Sequence, residues 1–154
     1  MFIYFPGECR MNPNPNRFNK ERWDYGNKNF QLLIPSIEEY LVEPLEESKF
    51  FYDIMDAKTE TFDIEVKSRT PQYHWSDPFI MRDGWLIPKC KVDYAKQSKR
   101  PFIFFYWWRK DDSLWVWQYD PEDMIGINPF VPFWHKEKQE HYNIPFKVWE
   151  KISE

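Results

Sequence analysis

From Thr61 to Arg69 apolar and charged positions alternate. Phe62, Ile64 and Val66 fall on one side, and Asp63, Glu65, Lys67 and Arg69 on the other. A period of two marks a strand with one buried side. Pro101–Trp108 reads differently: Phe-Ile-Phe-Phe-Tyr-Trp-Trp is apolar at every position, as in a strand covered on both faces. Lys110–Ser113 is then a turn, and Leu114–Tyr119 pairs back as a hairpin. Lys49–Asp56 predicts a strand before the alternating one, with Ala57–Glu60 as the turn between them. Helical spacing occurs at Ile37, Tyr40 and Leu41, behind Pro35-Ser36. Ser36 can cap that helix, Glu38 and Glu39 suit its first turn, and Pro44 ends or kinks it. Pro88 suits the first position of a second helix running to about Gln97. Residues 70–84 predict a polar loop, and Phe146–Trp149 a terminal strand.

The order helix, strand, strand, helix, strand, strand predicts an α/β (α+β) fold with a mixed central sheet flanked by helices. The 154 residues fit a single domain, 1–154. Within it the reading gives an irregular N-terminal arm over 1–35, a core over 36–120 and an aromatic C-terminal extension over 121–154. Trp134 and Trp149 are expected to anchor that extension. Aromatics make up 21% of the chain, too many for a disordered polymer. Tyr106, Trp107, Trp108, Trp115, Trp117 and Tyr119 have two readings, core packing or a platform for unpaired bases.

Charge and cysteine usage narrow the function. A net charge of −4 counts against a protein that coats nucleic acid non-specifically. Cys9 and Cys90 lie far apart and suggest no disulfide framework, so a reducing cytoplasm is the expected compartment. No apolar run reaches membrane-spanning length, and the N-terminus lacks a signal-peptide pattern. His74, His135 and His141 are too dispersed for a zinc pattern, and no Gly-rich phosphate loop or G-x-S-x-G elbow occurs.

The charged row of the alternating strand carries the candidate chemistry. If Lys58-Thr59-Glu60 is a three-residue hairpin loop, Asp53 falls opposite Glu65; a two-residue loop at Glu60-Thr61 brings Asp56 there instead. Either acid and Glu65 form a carboxylate pair on neighbouring strands, enough protein oxygen for a hard divalent cation that keeps several waters. Lys67, two residues along the same face, is placed to orient or activate water. The second helix brings Lys89, Lys91 and Lys96, with Lys99 and Arg100 behind them, against Asp93 alone. With Arg69 these are candidates for a phosphate backbone.

Asp53-Ile54-Met55 and the later Glu65-Val66-Lys67-Ser68-Arg69 resemble the spaced Asp and E-V-K-S-R stretch of the PD-(D/E)xK nuclease superfamily, and the element order is similar to its Holliday-junction-resolvase-like and phage-encoded branches. The resemblance covers about residues 36–120 and implies a restriction-endonuclease-like core. It implies Asp53 and Glu65 as ligands of Mg²⁺ or Mn²⁺, Lys67 as the residue that positions water, and Glu39 or Glu38, with Glu39 preferred, as an acid from the first helix. The implied activity is metal-dependent DNA endonuclease chemistry on a junction or other DNA structure, with RNA not distinguished from DNA. A phage or mobile-element protein working in the host cytoplasm, as a homodimer on a two-fold substrate, is part of the same implication. Tyr52 stands where the family has Pro, and Asp56 and Asp63 are rival acids. The alternative is a nuclease-fold binding protein without catalysis, a virus-encoded inhibitor or an assembly component.

Overall fold

In a computed structural model, which describes residues 20–48, 55–69, 84–132 and 139–152, the first helix spans Lys20–Leu41 (α1). The expected start at Ser36 is therefore mid-helix, and residues 20–35 are not an irregular arm. Pro35 denies a hydrogen bond to the carbonyl one turn back, but Pro35 and Gln31 both face solvent. The buried stripe of Phe30, Leu33 and Ile37 runs unbroken across it, so tertiary packing overrides the proline. The helix ends where Val42 takes a positive φ of 56° and the Glu38 carboxylate accepts the Leu45 N–H at 2.8 Å.

Two short strands follow, Glu46–Glu47 (β1) and Ala57–Lys58 (β2), and then Asp63–Arg69 (β3). The expected strand over 49–56 falls mostly on residues outside the described ones. Ala57–Lys58 pairs where a turn was expected, because the chain reverses two residues later, over 59–62. Gly84–Pro88 (β4), which the loop reading missed, leads directly into the helix Lys89–Gln97 (α2) that Pro88 predicts. Phe102–Trp108 (β5) and Ser113–Gln118 (β6) form the expected hairpin.

The fold is mixed α+β around a six-stranded mixed sheet, ordered β1-β2-β3-β5-β6-β8, where β8 is Glu150–Lys151. β3 lies centrally and pairs in parallel with β5, Glu65 beside Phe104 and Lys67 beside Tyr106. All seven β5 residues are buried, as continuous apolarity predicts. On one face α1 packs Phe30, Leu33 and Ile37 against Ile64, Ile103, Phe105, Leu114 and Val116. On the other, Val92 and Ala95 of α2 join Trp85, Ile87, Ile144 and Trp149 over Phe102, Phe104, Tyr106 and Trp117.

The described residues 139–152 are built into the fold. His141–Pro145 (β7) pairs with β4 in a second, two-stranded sheet, a 3₁₀ turn at Phe146–Val148 replaces the expected strand, and β8 extends the main sheet beside β6. Trp149 anchors this segment as expected, its ring packed against Tyr106 and Trp117. Trp134 lies outside the described residues. Tyr106, Trp107, Trp108 and Trp117 are buried, with Trp85 stacked on Tyr106 at 4.4 Å, so these four are core packing, while Trp115 and Tyr119 are half-buried. Cys90 is also buried and is disulfide-bonded, against the expectation of separate thiols. No helix among the described residues is long and apolar enough to cross a membrane.

Candidate functional site

The hairpin of β2 and β3 resolves the register that the sequence left open. Ala57 pairs with Ile64 and Lys58 with Asp63, the register that carries Asp56 rather than a more distant acid toward Glu65, and the Asp56 charge is near enough to act on Glu65. This is the two-residue-loop alternative. Asp53 lies outside the described residues. The regular ladder stops at Asp56: its N–H donates to Ile64 O at 2.9 Å, and its Oδ2 accepts the Val66 N–H at 2.6 Å. A side-chain oxygen thus replaces a backbone acceptor where the strands part.

Alternation put Glu65 and Lys67 on one face, and the register agrees. That face is not a solvated one, however. It lies under α2 and β4, and Glu65 is only 6% exposed. Lys91, reaching down from α2, places Nζ 3.2 Å from Glu65 Oε1, with both side chains largely buried. Burial, reinforced by the nearby Asp56 charge, pushes the Glu65 carboxyl up to about 8 despite Lys91 and Lys67. Burial also pulls the Lys67 ammonium below its usual range, and the positive charge of Lys91 adds to the fall. The two groups stand with their usual protonation preferences weakened, the pattern expected of an acid–base site.

Asp63, a rival ligand, belongs to a different structure. Its carboxylate accepts from Arg100 Nε at 3.0 Å and Ser98 Oγ at 3.3 Å. Arg100 also donates to the carbonyls of Thr59, Glu60 and Phe62. This knot ties the hairpin loop to the end of α2 and holds Lys91 over Glu65. A surface cavity of about 420 Å³, lined by Pro44, Leu45, Lys58, Thr59 and Arg100, opens beside the knot rather than at Glu65.

The other predicted site residues disperse. Glu39 is exposed on α1, which packs on the opposite sheet face, and Glu38 is engaged with Leu45. Neither is brought to Glu65, because the helix begins sixteen residues earlier than expected and its core stripe fixes its rotation. Lys89 pairs with Asp93 at 2.7 Å within α2, and Lys96 is exposed at the helix end. Arg69 is half-buried and hydrogen-bonds Tyr106, whose hydroxyl burial holds at about 12. Of the expected phosphate-binding row, Lys91 turns inward to the carboxylates. Its spacing of four from the buried Ala95 was the available signal.

No group of three or more His, Cys, Asp or Glu that could hold a metal ion is found among the described residues. The acids that could offer oxygen to an ion beside β3 are Glu65 and Asp56. Their chemistry suits Mg²⁺ or Mn²⁺, which take oxygen ligands and retain waters. The raised Glu65 fits too, since a divalent charge would relieve the repulsion with Asp56. Compared with known proteins, the sequence matches no family model and no curated protein.

Proposed function

We propose that the chain is a metal-dependent phosphodiesterase acting on DNA, built on a restriction-endonuclease-like core. The carrying observation is the juxtaposition of Asp56, Glu65 and Lys67 where the hairpin ladder ends, on a strand parallel to β5. The element order α1, hairpin, α2, β5 supports the same reading. Bound between Asp56 and Glu65, Mg²⁺ or Mn²⁺ would lower the pKa of a water and offset charge on the phosphate. Lys67, its ammonium destabilised by burial, is poised to take or orient a water proton. A junction with two-fold symmetry as substrate calls for two copies of the chain.

A second reading, a non-enzymatic binding protein, is favoured by one observation: Glu65 is nearly closed to solvent and already faces an ammonium. One assay separates them. Branched, duplex and single-stranded DNA, with RNA as a further arm, are incubated with the protein in Mg²⁺ and Mn²⁺. Cleavage should fall at least 100-fold in Asp56→Asn, Glu65→Gln and Lys67→Ala. Cleavage that survives all three changes, or no cleavage of any substrate, overturns the enzymatic reading.

A further inference from the structure

The basic residues of α2 read as a phosphate-binding row, yet Lys91 does not join it. Its ammonium sits 3.2 Å from Glu65 Oε1, with its side chain 14% exposed and that of Glu65 8%. The helix that carries it is fixed at both ends. Lys89 N–H donates to Glu140 O at 2.9 Å, and beyond the C-terminus Ser98 Oγ and Arg100 both hold Asp63 of the same β3 strand. Lys91 is therefore a side chain on a rigid mount, aimed at the Glu65 carboxyl.

We infer that Lys91 is an internal counter-ion that occupies the cation position beside Glu65 and competes with a divalent ion for it. The inference rests on the metal-dependent reading above. Once ionised, a carboxyl taken out of water needs a compensating charge, and Lys91 supplies one before any metal arrives. A cation such as Mg²⁺ binds carboxylate oxygen at about 2 Å. An ammonium retained on Oε1 would then stand within a few ångströms of a double positive charge, and the repulsion in a poorly solvated site is large. Lys91 and the ion cannot both keep their contacts. With an ion on Glu65 the ammonium would have to leave, and its flexible four-carbon stem would let it swing away while the helix stays in place. A phosphate oxygen on a metal-bound substrate is the complementary destination for it. Lys91 is thus a positioning residue for the carboxylates in the metal-free protein, and a barrier to adventitious metal.

The test is Mn²⁺ binding to the full chain at pH 8.5, read by electron paramagnetic resonance, for the wild type, Lys91→Met, Lys91→Gln and the exposed control Lys96→Met. Lys91→Met and Lys91→Gln should bind Mn²⁺ at least tenfold more tightly than the wild type, and Lys96→Met should match the wild type. The Gln variant keeps a polar group on Glu65 should Met fail to fold. If the wild type binds Mn²⁺ and neither Lys91 variant binds it more tightly, the counter-ion role is wrong while the metal site stands. If neither the wild type nor the Lys91 variants bind Mn²⁺, both this inference and the metal-dependent reading fall.

Discussion

Replacing Glu65 with Gln keeps the side chain's shape and its oxygen toward Lys91 but removes its titration. The consequence can be worked from the site. The Glu65 pKa rises from 4.5 to about 8 in the folded chain, first through burial and then through Asp56. Between those values the folded state holds a proton that the unfolded chain has released. The stabilisation is full below pH 4.5 and is lost as pH rises through about 8. At about 1.4 kcal/mol per pK unit, the loss has an upper limit of about 5 kcal/mol. Lys67 acts in the opposite sense: its lowered pKa gives stability that is present above 10.5 and lost as pH falls through the lowered value. That opposing slope trims the effect toward the alkaline end. Urea unfolding followed by tryptophan fluorescence, in chelator, at pH 5, 6, 7 and 8, measures the difference. Wild type and Glu65→Gln should be close at pH 5, and the variant should be the more stable by about 2 kcal/mol or more at pH 8. Lys67 does not cancel between the two curves, because the Glu65 charge that raises its pKa is absent from the variant; groups remote from Glu65 are common to both curves and cancel. Curves that run parallel from pH 5 to 8 would refute the buried, proton-holding Glu65.

Two structural predictions concern what holds the site in place. A Cβ on Gly84 would lie 1.8 Å from the Ile144 carbonyl oxygen, so Gly84→Ala should cost about 3 kcal/mol by forcing β4 from β7, read as a fall in thermal midpoint. No loss would show that the two strands do not pair this closely. Arg100→Ala strands the Asp63 carboxylate, 5% exposed, and three loop carbonyls; because the guanidinium is itself 40% exposed, the expected cost is about 2 kcal/mol. Adding Asp63→Asn to Arg100→Ala should recover part of that loss, and a double variant weaker than the single one would contradict the pairing.

The strongest periodicities in the sequence were the most faithful guides. Apolarity at every position of Phe102–Trp108 foretold a strand buried on both faces, and Pro88 foretold the start of α2 within a residue. Alternation in Asp63–Arg69 assigned Glu65 and Lys67 to a common face, but it said nothing of what covers that face. The covering elements, α2 and β4, join it through contacts distant in sequence, so the burial of Glu65 was not legible. Ser36 offered a local cap signal that the longer stripe of Phe30, Leu33 and Ile37 outweighed. The hairpin offered two registers differing in loop length, and the choice fell to the one that pairs Ala57 with Ile64 and carries Asp56 toward Glu65. Lys91 and Lys96 looked alike as members of a basic stretch. Only helix rotation against the sheet separates an inward charge from a solvated one. The C-terminal strands escaped notice because each is short and finds its partner across the chain, β7 on β4 and β8 on β6.

The central claim is that Asp56 and Glu65 form one divalent-cation site. A crystal of the wild-type chain soaked in Mn²⁺ tests it most directly through anomalous scattering. The account predicts a single strong peak in contact with both carboxylates, with Lys91 Nζ moved off Glu65, and no peak there in Glu65→Gln. A wild-type map with no peak between Asp56 and Glu65, and Lys91 still on the carboxylate, would contradict it.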